Sequence, residues 1–572
     1  MGDLEGSVAF LVTDRSERLP LILYEDEHLL AVNKPAGLNT HAPSPLTGEG
    51  LYEWLRHRQP RWAALAIVHR LDKQTSGVLL FAKTPAANRS LTEQFTRHSL
   101  RKKYLLLSEV APGQRAFRAI STLVRSGEKY LSRPPHAGGA RAETRFRSIG
   151  SREGLTIVEA EAITGRTHQI RVQATEHGFP ILGDTLYGGG PAARLYLHAE
   201  ELKFKNPGSG TEMVLRAPAD FFGEEEEDSA MIVHSLRGAD LNHGRLLQGL
   251  KLRDGLIDKK LTNAYRIIHG AADGWPGWYV DRLDEFILSQ AESALSDAQV
   301  RLLGDLLREG IPAKASSRIR GIHHKTVSRG ASDAPPPEHV MGEAAPGSFL
   351  VHENGVQFEL RFNEGSSIGL FLDQRDNRRR FLVNYVAAGF PLFSSLACNA
   401  EVLNTFAYTC GFSVCAAKAG ARVTSIDLSK NYLEWGKRNF AANQLDPAAH
   451  DFIFGDVFVW LRRLVKKGRR FDVVVLDPPT FSRSKERKTF QAEKDFGQLV
   501  LAALPLLRSG GVLFAASNAA AWPAEKFLEM LNRAVHSGKR NTVQQHYVPQ
   551  PPDFPITRAE SAYLKTAWLR LE

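Results

Sequence analysis

Short apolar runs recur through the C-terminal half of the chain, separated by segments long enough to form helices. Each run holds four to six residues. This alternation is typical of a doubly wound, mostly parallel sheet, in which a ligand binds beyond the carboxyl ends of the strands. The predicted strands are 402–406, 422–427, 452–455, 473–476 and 512–517.

The N-terminal half has a different pattern. Apolar runs at 66–68 and 78–82 predict two strands, and they enclose a polar cluster at 69–73. Further along, the stretch 169–174 alternates polar and apolar residues, which predicts a strand with one polar face. An acidic run at 224–228 then predicts a surface linker and a domain boundary.

Composition limits the class of protein. A chain of 572 residues is too long for one ordinary domain, and two or three are expected. Hydrophobic and charged contents of 43% and 24% are those of a soluble globular protein. No apolar run approaches the ~20 residues of a membrane span, and no secretory signal begins the chain, so a cytoplasmic protein without a membrane partner is expected.

The cysteines and the net charge add two expectations. Three cysteines without the spacing of zinc ligands predict neither a disulfide framework nor a metal site. A formal net charge of +10 favours a polyanionic partner such as nucleic acid.

The polar cluster contains a carboxylate that is costly to place beside a core. Such a group loses hydration unless cations hold it, and Arg70 and Lys73 flank Asp72. A polar strand end facing solvent explains the same pattern. The stretch AIVHRLDKQTSGVLLFAK also resembles the signature of the RluA-type pseudouridine synthases. This resemblance implies that Asp72 is the nucleophile that detaches uracil from its ribose.

Two further segments carry the same resemblance, which covers roughly residues 20–222. The element KKYL contains Tyr104, and in the family this tyrosine stacks on the target base. The segment GRTHQIR ends at Arg171, which by the same resemblance forms an ion pair with the catalytic aspartate. Such a partner lowers a carboxylate pKa and fixes its rotamer. The isomerisation that the family catalyses requires no external cofactor.

The region before the predicted parallel sheet is similar to a small α+β module of the RlmI/RlmK-like large-subunit rRNA methyltransferases. The similarity runs from Tyr265-Arg266 to Asp281-Arg282. Members of the RlmI branch carry an RNA-binding PUA domain ahead of that module. Too few residues lie between the acidic linker and Asn263 for such a domain, so the synthase half is a candidate to hold the RNA instead.

Acidic residues follow successive strands of the predicted parallel sheet. A carboxylate at the end of the second strand can accept both hydroxyls of a ribose. The loop 404–411 lacks the Gly-x-Gly-x-x-Gly pattern of dinucleotide sites. Together with FLDQR at 371–375 and DPPTF at 477–481, these segments resemble an S-adenosylmethionine-dependent RNA methyltransferase. The resemblance implies that the cofactor is held by Asp373, Arg375, Asn404, Tyr408, Gly411, Asp427 and Asp456.

The Asp-Pro-Pro element that begins at Asp477 points to the methylated atom. Two prolines leave a rigid loop with accessible carbonyls, which suits an exocyclic amine or a ring beside a sulfonium donor. The phrase DPPTFSRSK is similar to the guanine-methylating RlmK branch and implies that Asp477 faces the base. Methylation of pyrimidine C5 needs a cysteine thiolate, whereas 515–518 is Ala-Ala-Ser-Asn. We therefore expect transfer to a guanine nitrogen.

Two alternatives for the C-terminal half remain open. One is a C5-cytosine methyltransferase that uses Cys398 or Cys410, and the other is a non-catalytic RNA-binding platform. Basic residues near the motifs could neutralise RNA phosphates, although structural roles or solvated helix ends explain them equally well. The candidate RNA contacts are Arg70, Lys102, Lys103, Arg166, His168, Arg483 and Lys485.

These patterns predict a bifunctional RNA-modifying enzyme, acting as a monomer on large-subunit ribosomal RNA, with tRNA as the alternative substrate. Its expected fold is multidomain. The predicted parts are an α+β pseudouridine synthase domain with a mixed antiparallel sheet (1–225), an acidic linker (226–240), a small α+β module (241–365) and a class I, Rossmann-like α/β methyltransferase domain (366–572).

Overall fold

Three large sheets follow one another along the described chain, with 11, five and seven strands. Within this part of the chain no helix is long and apolar enough to cross a bilayer. The acidic run at 224–228 and the predicted linker lie outside the described residues. The computed structural model describes residues 19–48, 50–134, 138–219, 241–310, 318–327, 335–363, 367–393, 399–482, 489–557 and 559–572.

The first sheet is mixed and belongs to the N-terminal half. Its strands are β1 (Ile22–Glu25), β2 (Leu29–Lys34), β3 (Ala66–Ile67), β4 (Ser76–Ala82), β5 (Arg101–Ser108), β6 (Ala116–Ser126), β7 (Lys129–Arg133), β8 (Ala140–Arg152), β9 (Leu155–Ala162), β10 (Leu197–Lys205) and β11 (Glu212–Arg216). The order is β1-β2-β4-β10-β5-β9-β8-β6-β7, and β4 pairs with β10 in parallel. Helices α1 (Leu51–Arg56), α2 (Pro85–Thr96) and α3 (Gln169–Glu176) accompany it. The prediction of an α+β fold with a mixed sheet is confirmed.

Helix α3 corrects the strand that the alternation at 169–174 predicted. Gln169 and Gln173 lie one turn apart, and both are buried. The Gln169 amide donates to the Glu143 carbonyl at 2.9 Å, and the Gln173 amide donates to the Ser121 hydroxyl at 3.0 Å. The alternation misleads because two of its polar residues face the interior, where the sheet satisfies their hydrogen bonds.

The second sheet forms the small module. Its strands are β12 (Ala264–His269), β13 (Trp278–Leu283), β14 (Phe286–Ala291), β15 (Gly321–Thr326) and β16 (Glu338–Gly342), and a hairpin of β17 (Phe349–Glu353) and β18 (Val356–Leu360) follows. Helices α4 (Leu241–Leu256) and α5 (Asp297–Glu309) complete it. Helix α5 begins at a capping box in which Ser296 and Gln299 satisfy each other's backbone N–H groups.

A continuous hydrophobic core joins the module to the synthase sheet. Leu30 and Trp54 from the N-terminal half lie in the same buried cluster as Leu250 of α4 and Trp278 of β13. The Leu21 N–H also donates to the Gly255 carbonyl at 3.3 Å. The two sheets therefore exclude water from one shared apolar surface, which favours a fixed arrangement.

The third sheet has the predicted doubly wound form. Its strands are β19 (Glu401–Thr405), β20 (Arg422–Asp427), β21 (Asp451–Phe454), β22 (Phe471–Leu476), β25 (Leu507–Ser517), β26 (Thr542–Pro549) and β27 (Lys565–Leu571), with a short hairpin of β23 (Phe481–Ser482) and β24 (Phe490–Gln491) beside it. The order is β21-β20-β19-β22-β25-β27-β26, so the direction of winding reverses between β19 and β22. Its helices are α6 (Arg375–Val383), α7 (Gly411–Lys418), α8 (Lys430–Ala442), α9 (Val457–Lys466), α10 (Ala492–Ala503) and α11 (Ala524–Ser537).

Candidate active sites

Asp72 lies in the loop between β3 and β4, on a small cleft of about 80 Å³. Its side chain is 32% exposed, so a ligand can reach the carboxylate. Nη1 of Arg171 lies 3.6 Å from Oδ2 of Asp72, and Nε2 of His168 lies 3.8 Å from the same oxygen. The cleft is lined by Arg70, Leu71, Asp72, Thr75, Tyr104, Ala162, Thr164, Gly165, Arg166, His168, Gln169, Ile170, Arg171 and Leu197.

Tyr104 and His168 both line this cleft, and their surroundings favour the uncharged form of each side chain. Burial, aided by the Asp72 charge, raises the pKa of Tyr104 well above its usual value. Burial and the Arg171 charge lower the pKa of His168, which favours its neutral imidazole, whereas the Asp72 and Asp184 charges act in the opposite direction. His168 has a left-handed backbone with φ 57°, and its Nδ1 lies 2.8 Å from the Tyr187 hydroxyl.

Arg171 has a closer partner than Asp72. Its Nε and Nη2 donate to the two carboxylate oxygens of Asp184 at 2.7 and 2.8 Å, and the Asp184 side chain is 1% exposed. The guanidinium also lies over the Tyr187 ring, 5.0 Å from its centroid. A bidentate pair of this kind fixes the guanidinium plane, and its third nitrogen remains directed toward Asp72. Sequence reasoning missed Asp184, which no local pattern distinguishes.

Replacing Asp184 with Ala should destabilise the synthase half and impair pseudouridine formation while methylation continues. Removing one partner of a buried ion pair leaves an uncompensated charge, at a cost of about 3–5 kcal/mol. Urea denaturation and a pseudouridine assay measure the two effects. Glu212→Ala is the matched control, because its pair with Lys203 is exposed and should contribute at most about 1 kcal/mol. Equal stability of the two variants would contradict the role of Asp184.

The predicted RNA contacts have different surroundings. Arg70 and Arg166 are exposed and line the cleft. The buried Lys102 ammonium donates to the Thr164 carbonyl at 3.2 Å, and burial lowers its pKa to about 8. Lys103 forms an ion pair with Glu159 at 3.0 Å. Both ammonium groups thus have partners within the synthase half, and the assignment of Lys102 and Lys103 to RNA stays a prediction.

A second, larger cavity of about 620 Å³ opens at the carboxyl ends of β19, β20, β22 and β25. It lies where the winding of the sheet reverses, and its volume suits a cofactor-sized ligand. Most of the predicted site residues line it, namely Asp373, Asn404, Tyr408, Gly411, Asp427 and Asp477. The predicted Arg483 and Lys485 lie outside the described residues.

The loop between β19 and α7 is strained where it faces this cavity. Phe406, Tyr408 and Cys410 have φ values of 53°, 50° and 65°. A non-glycine residue in this region costs about 1–3 kcal/mol and persists where a functional site requires it. The Tyr408 and Ser429 N–H groups each donate to one oxygen of Asp427, both at 2.8 Å. Burial nevertheless raises the pKa of Asp427.

Arg375 does not reach the cavity. Its guanidinium donates to both oxygens of the buried Asp553, at 2.9 and 2.7 Å. The cavity is instead lined by Gln374 and Arg378, which are four residues apart and therefore share one side of the helical turn. Arg375 is therefore not part of the cavity lining, its role in holding the cofactor stays a prediction, and Arg378 is a lining residue that sequence reasoning missed.

Asp456 occupies the position that caps α9, where its carboxylate accepts the Val459 N–H at 3.1 Å. It lines a small cleft together with Phe406 and Leu428, which also line the main cavity. Its role in holding a cofactor therefore stays a prediction for an adjoining pocket.

Asp477 directly follows β22 and is half-buried in the wall of the cavity. Burial raises its pKa to about 7, and the nearby Asp373 carboxylate adds to the rise. Arg378 and a hydrogen bond from the Gln374 amide, at 3.3 Å, oppose it. A carboxyl group with this pKa can gain or lose a proton at neutral pH, as a general base must.

The cysteines that the structure describes are not reactive thiols. Cys410 and Cys415 are buried and unbridged, and burial raises the pKa of Cys410 to about 12. Burial raises the pKa of Cys415 as well. The end of β25 contributes Asn518, not a cysteine, to the cavity. Cys398 lies outside the described residues.

The family model of the S-adenosylmethionine-dependent methyltransferases matches residues 266–570, which is more than half of the chain. The chain belongs to this family. A second family model, for RNA pseudouridylate synthases, matches residues 28–176 and includes the cleft around Asp72. This methyltransferase therefore carries a pseudouridine synthase domain ahead of its own. It is a bifunctional RNA-modifying enzyme that uses S-adenosylmethionine.

Individual relatives and solved structures match part of the chain. A ribosomal RNA large subunit methyltransferase of Deinococcus radiodurans is 33% identical over 314 residues, which are 54% of this chain and 73% of the relative. The ribosomal RNA large subunit methyltransferase I of Yersinia pseudotuberculosis is 30% identical over 329 residues, 56% of this chain and 78% of the relative. The solved structure of human RNA pseudouridylate synthase domain containing 4 aligns with 38% of this chain over 92% of its own length, at 24% identity and a TM-score of 0.30.

Proposed function

We propose that the N-terminal half isomerises a uridine of RNA to pseudouridine, with Asp72 as the nucleophile. The N1–C1′ bond breaks, the C5–C1′ bond forms, and the proton of C5 is exchanged for one on N1, so no redox cofactor is required. Arg171 holds the carboxylate, and Tyr104 packs against the ring. The exposed Asp72 carboxylate, 3.6 Å from Arg171, supports these roles. The uridine enters the small cleft after it is extruded from its helix.

The C-terminal half, in the same proposal, methylates a nitrogen of guanine in large-subunit ribosomal RNA. The observation that carries this proposal is Asp477, a half-buried carboxyl group in the cavity wall beside Pro478 and Pro479, with a pKa raised to about 7. Its carboxylate would accept the N–H proton of the target nitrogen as the methyl carbon exchanges its bond to the sulfonium sulfur, which leaves as a neutral thioether, for a bond to that nitrogen. The rigid Pro-Pro backbone and the wall of the cavity hold the base in line, so that orientation supplies most of the acceleration.

The chain's own residues fit S-adenosylmethionine. Asp427 presents a carboxylate at the end of β20 for the ribose hydroxyls, and the strained loop at 406–410 brings backbone groups to the ligand. Asp373, Asn404 and Gly411 line the remaining wall. When bound, the cofactor supplies an electrophilic methyl group on a sulfonium.

Replacing Asp427 with Ala should weaken binding of the cofactor about 10- to 100-fold without changing pseudouridine formation. Each charge-assisted hydrogen bond to a ribose hydroxyl contributes about 1.5–3 kcal/mol, and the variant loses them. Titration calorimetry with S-adenosylmethionine measures the affinity. Asp451→Ala is the control, because Asp451 pairs with Arg469 at the opposite end of the neighbouring strand. Unchanged affinity in Asp427→Ala would overturn this assignment.

Methylation of cytosine C5 is the rival chemistry. The buried Cys410, whose pKa burial raises, argues against a thiolate from the described chain. A covalent adduct with 5-fluorocytidine RNA would establish this rival, and absence of S-adenosylmethionine binding would favour a non-catalytic RNA-binding half. The relatives named for large-subunit ribosomal RNA support that substrate over tRNA.

The test of the proposed function is a map of modified nucleotides. Ribosomal RNA from cells that lack this chain should miss one or more pseudouridines and one N-methylguanosine. Mass spectrometry detects the missing methyl group directly, and it detects the pseudouridines, which have the mass of uridine, after carbodiimide labelling. Each cleft is lined by residues of its own half, so the proposal requires only a single chain. Loss of 5-methylcytidine instead would replace the proposed target of the second half.

A further inference from the structure

Helix α6 is strongly polar and yet buried. Its sequence is RDNRRRFLV, and most of its side chains have little contact with water. Burying charged groups is costly unless partners hold them, so each of these residues must be accounted for by a contact. Those contacts reach all three parts of the molecule. The buried residues are Arg375, Asn377, Arg378, Arg379, Arg380 and Phe381.

One side of α6 binds helix α1 of the synthase half. The carboxylate of Asp376 accepts hydrogen bonds from the Trp54 indole at 2.9 Å and the Arg58 guanidinium at 3.2 Å. The Arg379 guanidinium donates to the Arg58 carbonyl. Just past α6, the Tyr385 hydroxyl donates to the Arg56 carbonyl at 2.7 Å. The carbonyls at the C-terminal end of α1, which lack partners within a helix, are thereby satisfied by the methyltransferase.

The opposite side of the same segment forms the cofactor cavity. Asp373, Gln374 and Arg378 all line it. The Arg378 guanidinium is held by both oxygens of Glu353 at 2.7 and 2.6 Å, and the Gln374 amide donates to Asp477 at 3.3 Å. A small shift of α6 would therefore move these three lining residues of the cavity together.

We propose that helix α1 of the synthase half positions α6, so that the affinity of the methyltransferase for its cofactor depends on the Trp54, Arg58 and Asp376 contact. Asp376 is a positioning residue, because it does not line the cavity. Without Arg58, the Asp376 carboxylate, which is only 13% exposed, would lose its charged hydrogen-bond donor, and α6 would rearrange to hydrate it. The inference goes beyond the proposed target base and requires only that the chain binds S-adenosylmethionine.

Coupling of this kind is reciprocal. If the contact favours the cofactor-binding position of α6, then bound cofactor must favour the contact by the same factor. The synthase half then acts as an internal partner of the methyltransferase, and bound cofactor stabilises the junction between them.

The variant Asp376→Asn tests the proposal in the full-length chain. It keeps the shape of the side chain and one acceptor for Trp54 but removes the charge that holds Arg58. Calorimetry should show S-adenosylmethionine binding weakened about 5- to 30-fold, whereas pseudouridine formation stays within about twofold of the parent. Arg58→Met should weaken binding similarly. Arg61→Met is the matched control, since Arg61 pairs with Glu25 within the synthase half and should leave affinity unchanged.

Hydrogen exchange on the unmodified chain supplies a second readout that does not depend on a variant folding. Saturating S-adenosylmethionine should slow exchange of the amides at 51–58 by the factor that couples the junction contact to cofactor affinity. The α2 amides serve as the internal reference, because their exchange should not change. Unchanged affinity in both junction variants, or exchange at 51–58 that does not respond to cofactor, would overturn the proposal. If the parent chain binds no cofactor, the failure lies with the cofactor assignment instead.

Discussion

Asp72→Asn is expected to abolish pseudouridine formation, by about 10⁴-fold or more, while methylation by the same chain continues. An amide has nearly the same shape as a carboxylate but is not a nucleophile, and loss of a covalent catalyst has effects of this size. The change is conservative for folding because the Asp72 side chain is partly exposed and its closest cation, at 3.6 Å, has Asp184 as its main partner. Mass spectrometric counting of pseudouridine in RNA from a complemented strain measures the effect.

The control for this variant is Glu93→Gln, which makes the same carboxylate-to-amide change on the exposed pair with Arg97. It should retain both activities. Methylation measured on the Asp72→Asn protein shows whether the chain is folded, because the two halves share a core. Retained isomerisation in a folded Asp72→Asn protein would remove Asp72 from the nucleophile role.

The doubly wound sheet could be predicted from the sequence because its strands are buried on both faces. Such strands appear as continuous apolar runs, and the runs at 402–406 and 473–476 fall on β19 and β22. The ends of those strands then located Asp427 and Asp477 at one edge, since parallel strands share a carboxyl side. Local pattern thus specified the cavity's position.

The errors occurred where tertiary contacts determine the outcome. The alternation at 169–174 fits a strand equally well, and only the partners on β6 and β8 explain why Gln169 and Gln173 can be buried in a helix. Likewise, nothing local shows that Asp553 engages Arg375 and leaves Arg378 to the cavity. A charged residue was placed correctly at the cavity when its position at a strand end decided its location, and misplaced when a partner distant in sequence did.

Helix α6 is a second case in which the local sequence does not show partners that are distant along the chain. Its charges would ordinarily predict an exposed helix, because charged side chains are rarely buried unless paired. Each partner lies far along the chain, with Arg58 in the synthase half and Glu353 on β17. Local patterns therefore could not predict the junction between the two enzymes, although it includes the charged helix α6.

Asp477→Asn is expected to lower the methylation rate about 10²- to 10⁴-fold, the range for loss of a general base, with pseudouridine formation unchanged. Burial places the pKa of Asp477 near 7, well above the usual value of a carboxyl group. The acid form accepts no proton, so kcat/KM should fall as the pH drops below about 7 and level off above it. The pH dependence of kcat/KM reports the pKa values of groups in the free enzyme, so the midpoint of this pH profile tests the pKa of Asp477 directly.

The matched control is Asp472→Asn, at the start of the same strand and bonded to the Glu401 N–H at 2.8 Å, on the opposite edge of the sheet. It should keep both the rate and the pH profile. Transfer to a nitrogen that carries no hydrogen, such as guanine N7, releases no N–H proton and would leave the profile of the parent chain flat near pH 7. If the parent chain has a flat profile and Asp477→Asn is strongly impaired, Asp477 is assigned to base recognition. If the rate of the parent chain falls below pH 7 and the variant loses this pH dependence, Asp477 is assigned to proton removal.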